Sequence, residues 1–482
     1  MRGEARPRLR VGLAVALVAF GAVSQAQVWE KLVAPGLTYR MEVDQSLPRV
    51  VHALRWTPHP GMTARAEVAR GTVYSEDVTR SRDTVSGMVR QFGAVAGINA
   101  DFFPFTGDPL GLMVRAGELI SPPGPRSFFA WGDNGESTTG RGQFRATIRI
   151  DGGDPIDLDV MNEELGRPMI GLQTPSVGFA RWRNSEDYAV LRVMEGAWNP
   201  TGSAFLEVVS VQNGPGNIAV PPDGAILVAT GAKGPIVARL RPGQVIQADW
   251  QTTGADWSVF RNAVAGGPGL VRNGQVWIDA LEQGFNDSFS RNRHPRTAIG
   301  RTRAGDVWLV AIDGRQPMSI GATLEETAWV MRRLGCVDAI NLDGGGSTAV
   351  NLFGVTLNRP SDGREREVAN GILLFGPSPS ATPDQLTIRV PLRVVVGQPV
   401  VLNVFAPNGT VVPPREVLWA AMGRAWIDQG GLLRPMVAGS VTVMAWARGR
   451  LLTATFDIAP ADPAPATSRS APPRNGTAPR RR

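Results

Sequence analysis

Asn341-Leu342-Asp343-Gly344-Gly345-Gly346-Ser347-Thr348 is the stretch from which the rest of the chain is best read. It follows Cys336 to Leu342, an apolar run short enough for a buried strand. Asn341 and Asp343, two residues apart, would therefore leave its carboxyl end pointing the same way. Upstream, Thr323 to Leu334 has helical spacing: Thr323 and Glu326 are placed as a capping box, and Leu324, Ala328, Met331 and Leu334 form an apolar stripe. Gly335 closes that helix. Helix, strand and polar loop in this order is the setting in which α/β-type folds place their chemistry. Three successive glycines leave no side chain between backbone and ligand, and their N–H groups can form an anion-binding nest. A plain glycine-rich turn has the same composition.

The plan occurs twice. In Ser81 to Phe92 the apolar residues Val85, Met88, Val89 and Phe92 keep helical spacing, Gly93 ends the helix, and the strand Ala94 to Ile98 runs into Asn99-Ala100-Asp101. Ile98-Asn99-Ala100-Asp101 and Ile340-Asn341-Leu342-Asp343 are one four-residue pattern in one setting. If both strand ends face one cleft, two carboxylates meet there, which is what hydrolysis of a glycosidic bond commonly requires. The alternative is that each aspartate caps its own turn. A third strand, Val307 to Ile312, delivers Asp313-Gly314-Arg315. Between them, Arg291 to Gly300 carries three arginines in six residues around His294 and Pro295. The planar guanidinium suits bidentate grip on phosphate or carboxylate, and His294 is the histidine placed for acid/base work. Surface arginines beside a buried histidine would read the same.

With 482 residues, 56 Gly and 38 Pro, the chain has room for more than one domain and many turns. Residues 38–376 are expected to form an α+β unit, a mixed α/β catalytic domain whose middle, 105–260, is β-rich and loop-heavy. Residues 377–384 read as a linker. Residues 385–458 show short strands at regular intervals, the rhythm of an all-β sandwich, and Ala438-Gly439-Ser440-Val441-Thr442-Val443 resembles bacterial immunoglobulin-like modules. Residues 459–482, rich in Pro, Ala, Ser and Thr, are expected to be disordered.

Residues 1–26 have the form of an export signal: Arg2, Arg6, Arg8 and Arg10, then an apolar Val11 to Ala22, then Ser24-Gln25-Ala26. No later run is long enough to span a bilayer, so a periplasmic, cell-envelope or extracellular setting in a bacterium is expected. The first 26 residues carry a net +3 and residues 459–482 a net +4, which together account for the formal +7. The body between is neutral, which argues against a nucleic-acid partner. Cys336 is the single cysteine, so no internal disulfide forms, and its place at a strand start reads as core. His52 and His59 have no second ligand at metal spacing. No firm metal site or cofactor is predicted; Asp101, Asp313 and Asp343 offer the oxygen ligands that Ca²⁺ or Mg²⁺ would take. Oligomeric state is open.

Taken in order, Ile98-Asn99-Ala100-Asp101-Phe102-Phe103, Gly266-Gly267-Pro268, Arg293-His294-Pro295-Arg296-Thr297-Ala298-Ile299-Gly300, Asp313-Gly314-Arg315, Gly321-Ala322-Thr323-Leu324-Glu325-Glu326 and Asn341 to Thr348 resemble the successive motifs of the phosphodiester glycosidase family. The resemblance spans roughly residues 40–376. It implies a compact mixed α+β fold and hydrolysis of a sugar joined through its anomeric oxygen to a phosphodiester. On that basis Asp101 and Asp343 would work at the anomeric centre, with Asp313 able to exchange with either and His294 as a further acid/base. Arg293, Arg296 and Arg315 would hold phosphate, while Asn99 and Asn341 orient the sugar. Thr297, Gly344, Gly345, Gly346, Ser347 and Thr348 complete the expected substrate contacts. The family's animal enzyme is cysteine-rich, so the expected partner is instead a phosphodiester-linked glycan of an envelope, capsule or exopolysaccharide.

Two other classes compete. A serine hydrolase would use Ser347 or Thr348 with His294, but Gly-Gly-Ser-Thr-Ala lacks the second glycine of a nucleophile elbow and a strand follows it. That strand, and the lack of a lysine after the glycines, also exclude a nucleotide P-loop. A non-catalytic glycan-binding envelope protein is the third class, and buried polar strand ends without a purpose argue against it.

Overall fold

A computed structural model of the chain describes residues 26–383 and 385–461. The expected export signal lies outside the described residues except for Ala26, as does the tail beyond Ala461.

The chain is built mainly from antiparallel strands, with 46% of residues in strands and 10% in helices. This corrects the expected mixed α/β catalytic domain. The helix-then-strand units around the two motifs are real: Val85–Phe92 precedes Ala96–Asn99, and Leu324–Arg333 precedes Cys336–Asn341. They do not propagate into parallel crossovers, however. Cys336–Asn341 pairs antiparallel with Arg296–Thr302 and Gly269–Arg272. Ala96–Asn99 pairs antiparallel with Val350–Leu352 and Asn370–Phe375. Two short helices therefore decorate sheets made of hairpins and returns, and the glycine- and proline-rich turns supply the connections.

The first sheet has eight strands, in the order Gln27–Ala34, Leu37–Asp44, Arg49–Trp56, Val307–Ile312, Arg296–Thr302, Cys336–Asn341, Gly269–Arg272 and Gln275–Val276. Leu324–Arg333 covers one face of it, laying Leu324, Ala328 and Met331 on a core that includes Val51, Trp308 and Val310. Its start is fixed as the sequence requires: Thr323 Oγ1 accepts from the Glu326 N–H at 3.1 Å, and Glu326 Oε2 accepts from the Thr323 N–H at 3.0 Å. The second motif strand lies in a five-stranded sheet, Val355–Thr356, Val350–Leu352, Ala96–Asn99, Asn370–Phe375 and Thr63–Val68. Val85–Phe92 packs on it through Val85, Met88 and Val89, begins at Thr84, whose hydroxyl oxygen accepts from the Gly87 N–H, and ends at Gly93 in the left-handed region.

Residues 113–265 add a second five-stranded sheet and another of eight strands, the latter organised around the long hairpin Glu186–Gly196 and Gly202–Gly214. Residues 387–459 form three small sheets around their own core of Leu402, Trp419, Leu433 and Val443. These sheets are seated on the rest of the chain. The rings of Phe353 and Trp446 stack with centroids 4.2 Å apart. The buried Lys31 ammonium donates to the Val417 and Gln429 carbonyls, and Arg359 donates to the Gly423 carbonyl. Among the described residues, no helix is long and apolar enough to cross a membrane.

Candidate active site

The two motif strands belong to different sheets, and their ends are laced together. The Asp343 N–H donates to the Ala100 carbonyl at 2.8 Å, and Asn99 Nδ2 donates to the Asp343 carbonyl at 2.6 Å. Asn99 Oδ1 accepts from the Ala349 N–H at 3.1 Å and from Thr297 Oγ1 at 3.0 Å; Thr297 Oγ1 also lies 3.2 Å from Thr348 Oγ1. Asn341 is fully buried, and its Nδ2 donates to the Gly267 carbonyl at 2.9 Å. Asn99, Thr297 and Thr348 are thus occupied in fastening the strand ends to one another, whereas Asn341 keeps a buried Oδ1 without a hydrogen-bond partner.

What the lacing brings together is Asp101 and Asp343, close enough for the charge on Asp343 to raise the pKa of Asp101. Asp101 is buried. Its Oδ1 accepts from the Phe102 N–H at 2.7 Å, while its Oδ2 has no hydrogen-bond partner. Burial pushes its pKa up to about 7; the Phe102 N–H and the Arg126 guanidinium pull the other way. Asp343 keeps part of its surface open. Its pKa is pushed up to about 6, again by burial, against a hydrogen bond from Ser347, the charge of Arg366, the Gly344 N–H and Arg126. Two neighbouring carboxyls that differ in exposure and in partners are set up to divide a proton between them, one acid and one carboxylate.

The glycine run lies between cations. Gly344 to Gly346 have no room for larger residues on one side: a Cβ on Gly344 would come within 2.7 Å of the Pro295 carbonyl, and one on Gly346 would overlap the Arg366 guanidinium and the Asp362 carboxylate. A Cβ on Gly345 would lie 3.3 Å from Arg315 Nη2. Arg315 is exposed, with φ at +60°, and its Nη2 is 3.2 Å from His294 Nδ1. Burial and the charges of Arg296 and Arg315 keep His294 below the ordinary histidine pKa, so it is neutral near pH 7. Arg366 also binds Asp362, with Nη2 at 2.7 Å.

The other predicted residues sit elsewhere or are already engaged. Arg296 is buried, and its guanidinium donates to the carbonyls of Ala322, Phe289 and Asn292 at 2.7–2.9 Å. Arg293 forms a two-pronged ion pair with Glu326, the residue that also caps the helix. Asp313 is buried; its Oδ1 accepts from the Arg359 N–H at 3.0 Å and from Asn358 Nδ2 at 3.3 Å, and its Oδ2 lies 3.5 Å from His52 Nε2. Tyr39 closes that chain, its hydroxyl 2.8 Å from His52 Nδ1. Ser347 is buried with its hydroxyl turned to Asp343, and among the described residues no histidine bonds it. Nothing there makes a serine nucleophile. Among the described residues, no group of three or more His, Cys, Asp or Glu could hold a metal ion.

Arg126 and Arg366 were not singled out from the sequence. Arg126 is wedged over the rings of Phe102 and Phe285, 4.8 and 5.0 Å from their centroids, with Nη1 buried and without a hydrogen-bond partner. The available signal was the preceding Pro122-Pro123-Gly124-Pro125, which fixes the backbone immediately before the strand Ser127–Trp131. For Arg366 there was only its spacing from Asp362.

A family-level comparison with known proteins falls on this part of the chain. Residues 197–375 match the family model described as Phosphodiester glycosidase, a span that holds His294, Arg315, Asp343 and Arg366 but not Asp101 or Arg126. The mouse N-acetylglucosamine-1-phosphodiester alpha-N-acetylglucosaminidase is 36% identical over 112 residues, 21% of this chain and 22% of that protein. The SPbeta prophage-derived uncharacterized protein YomE of Bacillus subtilis is 36% identical over 85 residues, 18% of this chain and 13% of the relative. The matched stretches thus span between an eighth and a quarter of these relatives' lengths. A crystal structure of a hypothetical protein from Synechocystis superposes with a TM-score of 0.62 at 25% identity, over 73% of this chain and 64% of that one. Over residues 197–375, then, the chain bears a domain of the phosphodiester glycosidase family.

Proposed function

We propose that the chain hydrolyses the glycosidic bond of a sugar-1-phosphodiester, releasing free sugar and a phosphomonoester. The observation that carries this reading is the pairing of buried Asp101 with the more open Asp343 beside a glycine loop flanked by Arg315 and Arg366. Asp343, more open and the first to ionise, faces the anomeric carbon and stabilises the positive charge that develops there. Asp101 holds the proton that the two carboxyls share near neutral pH. Arg126, facing both, keeps one of them ionised despite burial. Arg315, Arg366 and the loop N–H groups receive the phosphate, and the neutral His294 beside Arg315 accepts or passes a proton at the phosphate oxygen. A phosphate monoester is already a good leaving group, so charge stabilisation carries more of the barrier here than proton donation.

The mammalian relative's name supports an N-acetylglucosamine-like sugar as the first to try. The export-type segment at residues 1–26 supports action outside the cytoplasm on an envelope or extracellular glycan. The test is turnover of the full chain on sugar-1-phosphodiesters beside the matching p-nitrophenyl glycosides. Sugar released from the phosphodiester alone is the expected result; release from the simple glycoside at an equal rate removes the phosphate site from the reading.

A further inference from the structure

We infer that the leaving-group side of the substrate lies in a trough partly walled by the C-terminal sheets, and that this trough takes a second anionic unit of a polymeric glycosyl phosphodiester. The inference rests on the catalytic reading of Asp101 and Asp343 above.

The trough begins where the glycine loop ends. A cavity of about 590 Å³ is lined by Arg366 and Asp362, the two side chains against which Gly346 is packed, and by Arg82 and Arg364. A second cavity of about 340 Å³ shares Thr84, Arg364 and Glu365 with the first, so the two adjoin. It ends on Met422 and Gly423, in the strand Val417–Gly423 of the C-terminal sheets. Arg359, just after the strand Val355–Thr356, fixes that wall to the first part of the chain, donating to the Gly423 carbonyl at 2.5 Å. Each cavity is within the size of a single small-ligand site, roughly 300–1,000 Å³, so together they accept more than one glycosyl phosphate unit.

The charges in the trough are unequally available. Asp362 is taken by Arg366, and Glu365 accepts from the Ser86 N–H at 2.9 Å and from the Thr356 hydroxyl. On the other side, Arg364 is exposed and no carboxylate pairs with it among the described residues. Arg82 lies over the exposed ring of Phe105, 4.5 Å from its centroid, with Nε buried and unbonded. Over the two cavities together, Arg82, Arg359, Arg364 and Arg366 face Asp362, Glu365 and Glu367, so positive charge exceeds negative by one. The near end therefore suits a phosphate, and the far end, with Met422 47% exposed beside Pro360, suits the apolar face of a sugar ring.

The experiment compares kcat/KM of the full chain on a methyl-capped N-acetylglucosamine-1-phosphodiester and on a short oligomer of the same repeating unit, for the natural sequence, Arg364→Ala and Met422→Asp. Both positions are exposed, and thermal unfolding checks that each variant folds. The expected result is about a tenfold preference for the oligomer that falls toward unity in either variant, roughly the value of one charge-assisted contact. Equal kcat/KM on the two substrates, or variants that leave the preference intact, would overturn the trough. Hydrolysis of neither substrate would overturn the catalytic reading on which it rests.

Discussion

Asp343 and Asp313 look alike in the sequence: each follows a buried strand, and each precedes glycine. In the structure they have opposite surroundings. Asp313 is buried with hydrogen bonds from the Arg359 N–H and Asn358 and with His52 at its other oxygen. Asp343 keeps part of its surface open, stands beside a second carboxyl, and has its pKa pushed up to about 6. A strand-end aspartate becomes a reactive group when its neighbours leave it partly open beside a second carboxyl. When they satisfy both of its oxygens, it becomes a structural post.

The comparison is broken most directly by activity. Asp343→Asn is expected to lower kcat by about 10³-fold, within the range that general acid–base groups typically contribute, whereas Asp313→Asn, assayed where it is folded, should lose far less. Equal losses in the two variants would end the distinction. Stability should sort them the other way. Asp313→Ala strands the Arg359 N–H and takes from Asn358 Nδ2 one of its two acceptors, and it is expected to cost about 2–4 kcal/mol, read as a lower denaturant midpoint.

Asp101 sharpens the contrast through pH. Its folded-state pKa of about 7 lies above the unfolded value, so its contribution to stability is fully present below the unfolded pKa and is lost as pH rises to about 7. Asp101→Asn removes that loss. The variant should therefore gain on the order of 1–4 kcal/mol relative to the natural chain at pH 8, with a smaller difference at pH 5, while turnover collapses. Thermal unfolding at the two pH values measures it, and a gain that does not depend on pH would assign the effect to packing instead. In the natural chain, kcat/KM should peak between about pH 6 and 7, where the pair holds one proton: below that range both carboxyls are protonated, above it both are ionised. The smallest effect concerns the arginines. Arg315→Ala should raise KM by about tenfold with little change in Tm, and Arg296→Ala should do the reverse, because three carbonyls depend on it.

How much of this was legible depended on distance along the chain. Thr323 and Glu326, Thr84, and Gly93 set helix ends through contacts within a few residues, and the sequence displays them. The pairing of Cys336–Asn341 with strands some forty and seventy residues earlier does not appear in any local pattern. The helices beside the motifs therefore suggested an α/β domain that the antiparallel ladders replace. The repeated Ile-Asn-x-Asp could be seen, but not that Asn99 ties the two strand ends together, since an amide that reaches across to a backbone 244 residues away looks no different in sequence from one aimed at a ligand. The arginines were harder still. Arg296, in the dense Arg-His-Pro-Arg stretch, spends its guanidinium on carbonyls, while the isolated Arg126 keeps a nitrogen unbonded beside two carboxyls. Composition marks where guanidiniums are, and only the fold decides which remain unspent.

The stacked rings of Phe353 and Trp446 bear on how such a chain can be taken apart. Phe353 is the tip of a hairpin that begins two residues after Thr348, and Trp446 belongs to the last sheet. Together with Lys31 at the opposite end of the sequence, which lies against Val417 and Gln429, they tie first strand, central loop and final strands into one closure. The C-terminal sheets are therefore a poor cassette. Cutting between residues 377 and 384, or grafting these sheets onto another protein, would uncover a tryptophan, a phenylalanine and a buried ammonium that each half has folded around. Exchange by recombination would have to carry both faces of that contact at once.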